Sequence, residues 1–410
     1  MAALFPFRAL RPRPGDAAKI AAVPYDVVSA DQARALAEGN PLSFLRVSRA
    51  EIELPPGEPY ADAVYERAAL NFSTLREKAL VVEALPALYM YRLTLGDHTQ
   101  LGLAGCFSLE EYDRNIIRKH ERTRPDKEHD RTRHMLALRA QSGPVFLIYR
   151  ASVDIGDIAR HAIDSEPLFD FTAEDGVRHT LWTADTADRD GLVRAFSRVE
   201  RLYIADGHHR AASAARVRHE LAASEPALGE VPSGADFNTL LAVAFPHDQV
   251  QVLAYHRIVK DLGGRTPEQF IAEVDARFVV VPGGAAPQRR GAMGMYVAGR
   301  WYGIHPRVSS DASSNLVGSL DVSVLQDQLL APVLGIVDVR TDRRIDFVGG
   351  VRGTRELERL VDSGRAAAAF SMFPVDVADL MAVADLGAMM PPKSTWFEPK
   401  LRDGLLIHLI

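Results

Sequence analysis

The chain has 410 residues, too many for one ordinary domain and in the range of two or three. Apolar residues make up 47% and charged residues 25%, which excludes wholesale disorder, and 48 basic against 54 acidic residues leave a net charge of −6, which argues against a general nucleic-acid binder. One cysteine, Cys106, excludes an internal disulfide framework and any Cys-only metal cluster, and fits a reducing compartment.

Ser29-Ala30-Asp31-Gln32 has the form of a capping box and predicts a short helix to Glu38, ended by Asn40-Pro41. A longer helix is predicted from Pro59 to Lys78, with Tyr60, Val64, Ala68 and Leu75 on its apolar face. Met90–Leu95 and Leu101–Phe107 read as strands of a hairpin turning at Gly96-Asp97, with Cys106 a buried small apolar residue. Residues 114–139 hold nine Lys or Arg, four Asp or Glu and three His, a net of about +5, read either as a solvated ion-paired helix or as an anion-attracting wall. Val145–Tyr149 is a compact strand, residues 150–200 mix helix, turn and strand, and Asp175-Gly176 is a turn. Leu202–Ile204 is a short buried strand and Ala211–Ala222 a helix; Leu240–Phe245 and Val250–Ala254 return to strand. Leu262–Pro267 reads as a linker, which sets expected domains at 1–261 and 262–410. Beyond it come strands near Phe278–Val281, Met295–Ala298 and Trp301–Ile304, then helices at about 320–331 and 375–386, the second closed by Gly387. The most apolar tract, Leu329–Val337, spans nine residues and contains Pro332 and Gly335, whereas a membrane helix needs about 20. Pro6 and Arg8 interrupt the first apolar stretch before a signal-peptide core forms, so the expectation is a soluble, cytoplasmic protein without a membrane partner.

The sharpest local pattern is Leu202–Arg210, where a strand runs into Asp206-Gly207-His208-His209-Arg210 and then a helix. Gly207 permits close backbone approach, the helix start offers free N–H groups to phosphate, and Arg210 adds a bidentate donor. Asp206 is the candidate Mg²⁺ ligand, since that ion typically takes one or two carboxylates plus substrate phosphates. The alternative is a plain turn with two surface histidines. Zinc is disfavoured: adjacent His208 and His209 diverge on a helix, and position 124 is Arg, where H-E-x-x-H from His120-Glu121 would need one more His.

Lys119-His120-Glu121-Arg122-Thr123-Arg124-Pro125 places a carboxylate among cations, either a general base beside an anionic substrate or a salt-bridged surface turn. Lys119, Arg122 and Arg124 are expected to help keep Glu121 ionised. Met389–Lys400 combines prolines, two lysines and hydroxyls; Pro392 stands where a Walker motif needs glycine, so Lys393-Ser394 is not a P-loop. Val23–Val27 is either a strand-end turn or a substrate-binding segment.

Phe5–Leu10, Pro24-Tyr25-Asp26-Val27, His120–Thr123, Asp206–Arg210 and Pro391–Thr395 together resemble the DUF1015 family nearly end to end. Three of these pieces also resemble, in the same order, the free-serine kinase of the ParB/sulfiredoxin superfamily. That resemblance implies a mixed α/β fold: a ParB/sulfiredoxin-like core with insertions in residues 1–261, and a C-terminal α/β region in 262–410 that completes the substrate site. It implies a phosphotransferase acting on the hydroxyl of free L-serine to give O-phospho-L-serine, in amino-acid metabolism. Glu121 is then the catalytic base with His120 beside it; Asp206, Gly207, His208, His209 and Arg210 hold the donor phosphates and Mg²⁺; Lys393, Ser394 and Thr395 lie by the acceptor, with Tyr25 and Asp26 as further substrate contacts. Lys119 stands where the kinase has Pro, Ser394 replaces Thr, and the first two motifs are further apart here, so the reaction class carries over better than the donor. Pyrophosphate or ADP is the expected donor, ahead of ATP. The alternative is a non-catalytic nucleotide- or phosphoserine-binding protein. A DNA-binding switch lacks a recognition helix, and sulfiredoxin-like repair lacks the active-site thiol, since His208-His209 occupies that place.

Overall fold

Val145–Tyr149 and Thr239–Pro246 are near-continuous apolar runs, and every residue of both is buried. Strands of that composition belong inside a sheet covered on both faces. The computed structural model, which describes residues 1–224, 236–307 and 315–410, places them there. The chain forms two units: Met1–Lys119 with Thr123–Val250 and Pro399–Ile410, and His120–Arg122 with Gln251–Glu398.

The first unit is built on a nine-stranded mixed sheet. Its order is Ile117–Arg118, Leu202–Asp206, Val145–Tyr149, Thr239–Pro246, His98–Ser108, Tyr89–Leu95, Arg178–Thr183 and Phe169–Thr172, with Leu4–Phe5 also paired to His98–Ser108. Leu202–Asp206 runs parallel to Ile117–Arg118 and antiparallel to Val145–Tyr149, and its register shifts between Ile204 and Asp206. Such a shift re-aims the strand end, here immediately before the glycine of the Asp206–Arg210 loop. The expected hairpin is present, with Leu95 opposite His98. Helices Val153–Ala162, Thr186–Phe196 and His208–Ser224 bury Ile155, Leu192, Phe196, Ala211 and Val217 in one core with Leu147, Leu202 and Ala244. A second core gathers Phe44, Leu45, Val64, Phe72, Leu75 and Ile407. Helix Ala30–Ala37 carries both bonds of the Ser29/Gln32 capping box.

The second unit has a six-stranded antiparallel sheet in the order Phe278–Pro282, Arg300–Pro306, Met293–Val297, Ala368–Ser371, Tyr255–Val259 and Ile345–Gly349. Leu357 and Leu360 of helix Gly353–Asp362 pack on it beside Ile258 and Val348. Leu262–Pro267 lies within this unit, where Thr266 caps helix Pro267–Asp275 through a reciprocal box with Gln269. The fold is thus mixed α/β, and no helix among the described residues is long and apolar enough to cross a membrane.

Four expectations shift. The long N-terminal helix is Asp62–Ala79, starting after Pro59, and the helix after the Asp206 loop starts at His208 instead of Ala211, because Gly207 already breaks the strand. The helix expected at 320–331 is instead Asp321–Leu325, a π turn at Gln326–Leu330, then Ala331–Leu334. The basic stretch contains helix Pro125–Leu138, but this is not a solvated helix: Asp130, Thr132 and His134 are buried, and burial pushes the His134 imidazole down to about 4.

Asp130 is held by Tyr65 Oη at 2.8 Å on one oxygen and by Arg131 at 2.9 Å on the other, which docks this helix to Asp62–Ala79. Tyr65→Phe removes one partner from a buried carboxylate. It should cost about 1–3 kcal/mol by denaturant unfolding; a variant within experimental error of the parent would mean that water replaces the phenol.

Candidate functional site

In the first unit the loop expected to bind phosphate is built around a buried arginine. Leu202–Ala205 are buried, Asp206 is half-buried, and Asp206 Oδ1 accepts the Gly207 N–H at 3.0 Å. Gly207 has φ +92°, a region open mainly to glycine, and a Cβ there would lie 2.9 Å from Arg210 Nε. The Arg210 side chain therefore folds back over Gly207. Its Nη1 donates to Pro144 O at 2.5 Å, Nη2 lies 3.8 Å from Asp206 Oδ2, and the buried Nε has no hydrogen-bond partner among the described residues. Burial opposes the guanidinium charge, but Asp206, Asp26 and Asp403 outweigh it and raise the pKa above its ordinary value.

Asp403 completes this cluster. Paired backbone bonds join it to Ala22, just before the Pro24–Val27 segment, and Gly143 gives it room: a Cβ there would stand 2.4 Å from Asp403 Oδ1. Burial pushes the carboxyl up to about 7, against the pull of Arg210 and with the push of Asp26. Tyr25 is buried under the Arg131 guanidinium, 4.1 Å from its ring centroid, and burial and then Asp26 raise its phenol pKa. Asp26 itself is exposed. The structure thus brings Tyr25, Asp26, Asp206, Gly207 and Arg210 together, with Asp403, Arg131 and Lys400 as members the sequence reading did not assign.

His208 is buried and opens the helix. His209 Nε2 accepts the Arg124 N–H at 3.0 Å, which fixes that nitrogen as unprotonated. Lys400 Nζ stands 3.1 Å from Asp206 Oδ2. Asp206 Oδ2 thus faces a cation while Oδ1 accepts the Gly207 N–H.

Two cations flanking Glu121 turn to other partners: Arg124 makes a bidentate pair with Asp126, and Lys119 lies 3.9 Å from the Tyr112 ring centroid, its pKa lowered by burial. In the second unit, His120–Arg122 meets the late motif, since Met390 donates its N–H to His120 O at 2.8 Å. Glu121, Arg122 and Met389–Pro392 line one cavity of about 580 Å³ with Arg257, Gln326 and Asp338. The late motif is a tight turn: Ser394 Oγ donates to Pro391 O at 2.5 Å, Lys393 has φ +58°, and its carbonyl accepts from Arg257 at 3.1 Å. Ser394 is buried and spends its proton on that turn; Thr395 is half-buried; Lys393 is exposed, with Nζ 5.5 Å from the Tyr255 ring centroid. Arg257 was missed because the predicted strand stops at Ala254, although Arg between His256 and Ile258 in a short apolar strand was the available cue.

Residues 4–323 match the model of the family described as protein of unknown function (DUF1015). No curated protein matches the sequence. Among solved structures, a conserved hypothetical protein from Pyrococcus furiosus is 14% identical, with 75% of this chain and 95% of that chain covered and a TM-score of 0.38. A free serine kinase in complex with AMP is 12% identical, over 73% and 91% of the two chains, at 0.37. SbnI with C-terminal truncation from Staphylococcus aureus is 10% identical, over 73% and 85%, at 0.38.

Two outcomes follow from the arginine cluster. Gly207→Ala imposes a strained backbone of about 1–2 kcal/mol and displaces the Arg210 side chain, so its melting temperature should fall; an unchanged value would mean that the loop relaxes freely. The raised Asp403 pKa means that the folded chain binds this proton more tightly than the unfolded chain. Its stabilising contribution is full below the unfolded value of about 3.9 and is lost as pH rises through about 7. Parental stability relative to Asp403→Asn should therefore decline between about pH 4 and 7, measured by urea unfolding; a constant difference would show that folding does not raise the Asp403 pKa.

Proposed function

We propose that this chain, which belongs to the DUF1015 family, is a phosphotransferase that moves a phosphoryl group to the hydroxyl of free L-serine, with pyrophosphate or ADP as donor ahead of ATP. The observation that carries the reading is the meeting of two motifs about 270 residues apart in sequence: Glu121 and Met389–Pro392 line the same cavity. A carboxylate in a cavity of that size is where an acceptor hydroxyl can lose its proton.

On this reading Glu121 is the base and His120, buried beside it in sequence, a supporting group. Lys393 and Thr395 are acceptor contacts, whereas Ser394 serves by shaping their turn. The donor phosphates lie on the Asp206–Arg210 loop, where the N-terminal N–H groups of helix His208–Ser224 and the cation Lys400 supply positive potential. Tyr25, Asp26 and Arg210 hold that loop in shape. Mg²⁺ is assigned no step. A divalent ion arriving with the donor would bind chiefly through the donor's own phosphates.

The test is phosphoserine formation from L-serine with ADP, ATP or pyrophosphate, in the presence of Mg²⁺. Glu121→Gln preserves shape and removes the base, so kcat should drop by about 10²–10⁴ with the circular dichroism spectrum unchanged. A folded Glu121→Gln protein working at the parental rate would remove Glu121 from the mechanism. Binding of serine or phosphoserine without turnover by the parent, under any of the donors, would make the chain a non-catalytic binding protein.

A further inference from the structure

The cavity of the second unit contains two polar groups whose bonding capacity the protein leaves partly unused. Arg257 is 3% exposed and comes from strand Tyr255–Val259. It donates to the carbonyls of Tyr255 and Lys393, and the Phe347 ring lies 5.5 Å away. A guanidinium has five N–H donors, and carbonyls do not neutralise its charge. Among the described residues no carboxylate pairs with it, whereas Arg210 has Asp206, Asp26 and Asp403 around it. Burial lowers the Arg257 pKa to about 10, which still leaves a cation at neutral pH.

Gln326 is the second group. It comes from the π turn Gln326–Leu330, a local widening of helices often found at functional sites. Its Nε2 donates to Ile336 O at 2.8 Å and to Val337 O at 3.3 Å, which fixes the orientation of the amide. Oε1 then faces away from both carbonyls, buried and without a hydrogen-bond partner among the described residues. Both side chains line the cavity that Glu121 lines. Asp338, also on its wall, is taken by Arg340 at 2.8 Å.

We propose that this cavity binds a free α-amino acid, its carboxylate on Arg257 and its ammonium against Gln326 Oε1. The proposal rests on the reading of Glu121 as the base for that acid's hydroxyl. An anion answers Arg257 by charge-assisted hydrogen bonds. A phosphate would answer Arg257 equally well, but it brings no ammonium to the amide oxygen. An α-amino acid carries both complements on one carbon. The cavity, at about 580 Å³, admits acids larger than serine.

Calorimetric titration of the full chain, without any donor, tests this. The probes are L-serine, L-homoserine and L-threonine, with ethanolamine (no carboxylate), glycerate (no amine) and pyrophosphate as comparators. At least one amino acid should bind, and ethanolamine about 10- to 100-fold more weakly than serine, the scale of one charge-assisted hydrogen-bonding pair. Arg257→Gln should abolish the preference for serine over ethanolamine, and Gln326→Met the preference for serine over glycerate. Equal binding of serine and ethanolamine by the parent, no binding of any amino acid, or a preference that survives Arg257→Gln would overturn the proposal. So would loss of pyrophosphate binding alone in that variant. Should Arg257→Gln fail to fold, the analogue comparison on the parent and Gln326→Met decide. Amino-acid binding without phosphoserine formation leaves this site standing and removes the kinase reading; phosphoserine formation by Arg257→Gln at the parental KM for serine does the reverse.

Discussion

Arg210 is a guanidinium withdrawn almost wholly from water, and a charge so placed persists only among opposite charges and hydrogen-bond acceptors. Much of the first unit is arranged to meet that need. Pro144 supplies a carbonyl, Asp206 and Asp403 supply carboxyl groups, and Asp26 adds charge from an exposed position. These groups come from four widely separated stretches of chain. Their convergence helps to hold Pro399–Ile410 in this unit, together with the pairing of His408–Leu409 with Ala140–Gln141. It also accounts for two glycines: Gly143 and Gly207 stand where a Cβ would collide with Asp403 and with Arg210. Burial, with Asp26 adding to it, lets the Asp403 carboxyl keep its proton up to about pH 7 against the pull of Arg210, Arg131 and Arg402.

The second unit buries an arginine under different terms. Arg257 has two backbone carbonyls and an aromatic face. Burial lowers its pKa, whereas the acids around Arg210 raise that of Arg210. The two residues are equally hidden, so the difference lies in the counter-charge alone. Arg210 finds its counter-charge within the protein; on the amino-acid reading, Arg257 takes its own from the ligand's carboxylate.

The Asp206–Arg210 loop was legible because its cues are local: an apolar strand, a glycine at the turn and an alanine-rich helix. The capping box at Ser29 and the hairpin at Gly96-Asp97 were legible for the same reason. Ala366–Phe370 shows the limit. Alanine favours helix, yet Ala368–Ser371 is a fully buried central strand, because its place between two other strands outweighs a propensity of a few tenths of a kcal/mol per residue. Helix Pro125–Leu138 failed differently. Its charge pattern reads as solvated, and only tertiary structure shows that Asp130 and Arg131 satisfy each other under Tyr25 and Tyr65. Lys400 was noted only as a lysine of Met389–Lys400 and Asp403 not at all, since nothing in the sequence around them points to residues some two hundred positions earlier.

Pro391–Thr395 looks like a row of substrate-binding side chains, but its most buried hydroxyl, Ser394, is spent on closing the turn. Lys393 takes a left-handed backbone at φ +58°, a conformation that costs a non-glycine residue about 1 kcal/mol or more. Two bonds hold it there: Ser394 Oγ to Pro391 O, and Arg257 to Lys393 O. Arg257 therefore fixes the lysine's backbone from within the cavity wall. On the reading of that cavity as an amino-acid site, a carboxylate on Arg257 takes donors that the Tyr255 and Lys393 carbonyls leave unused.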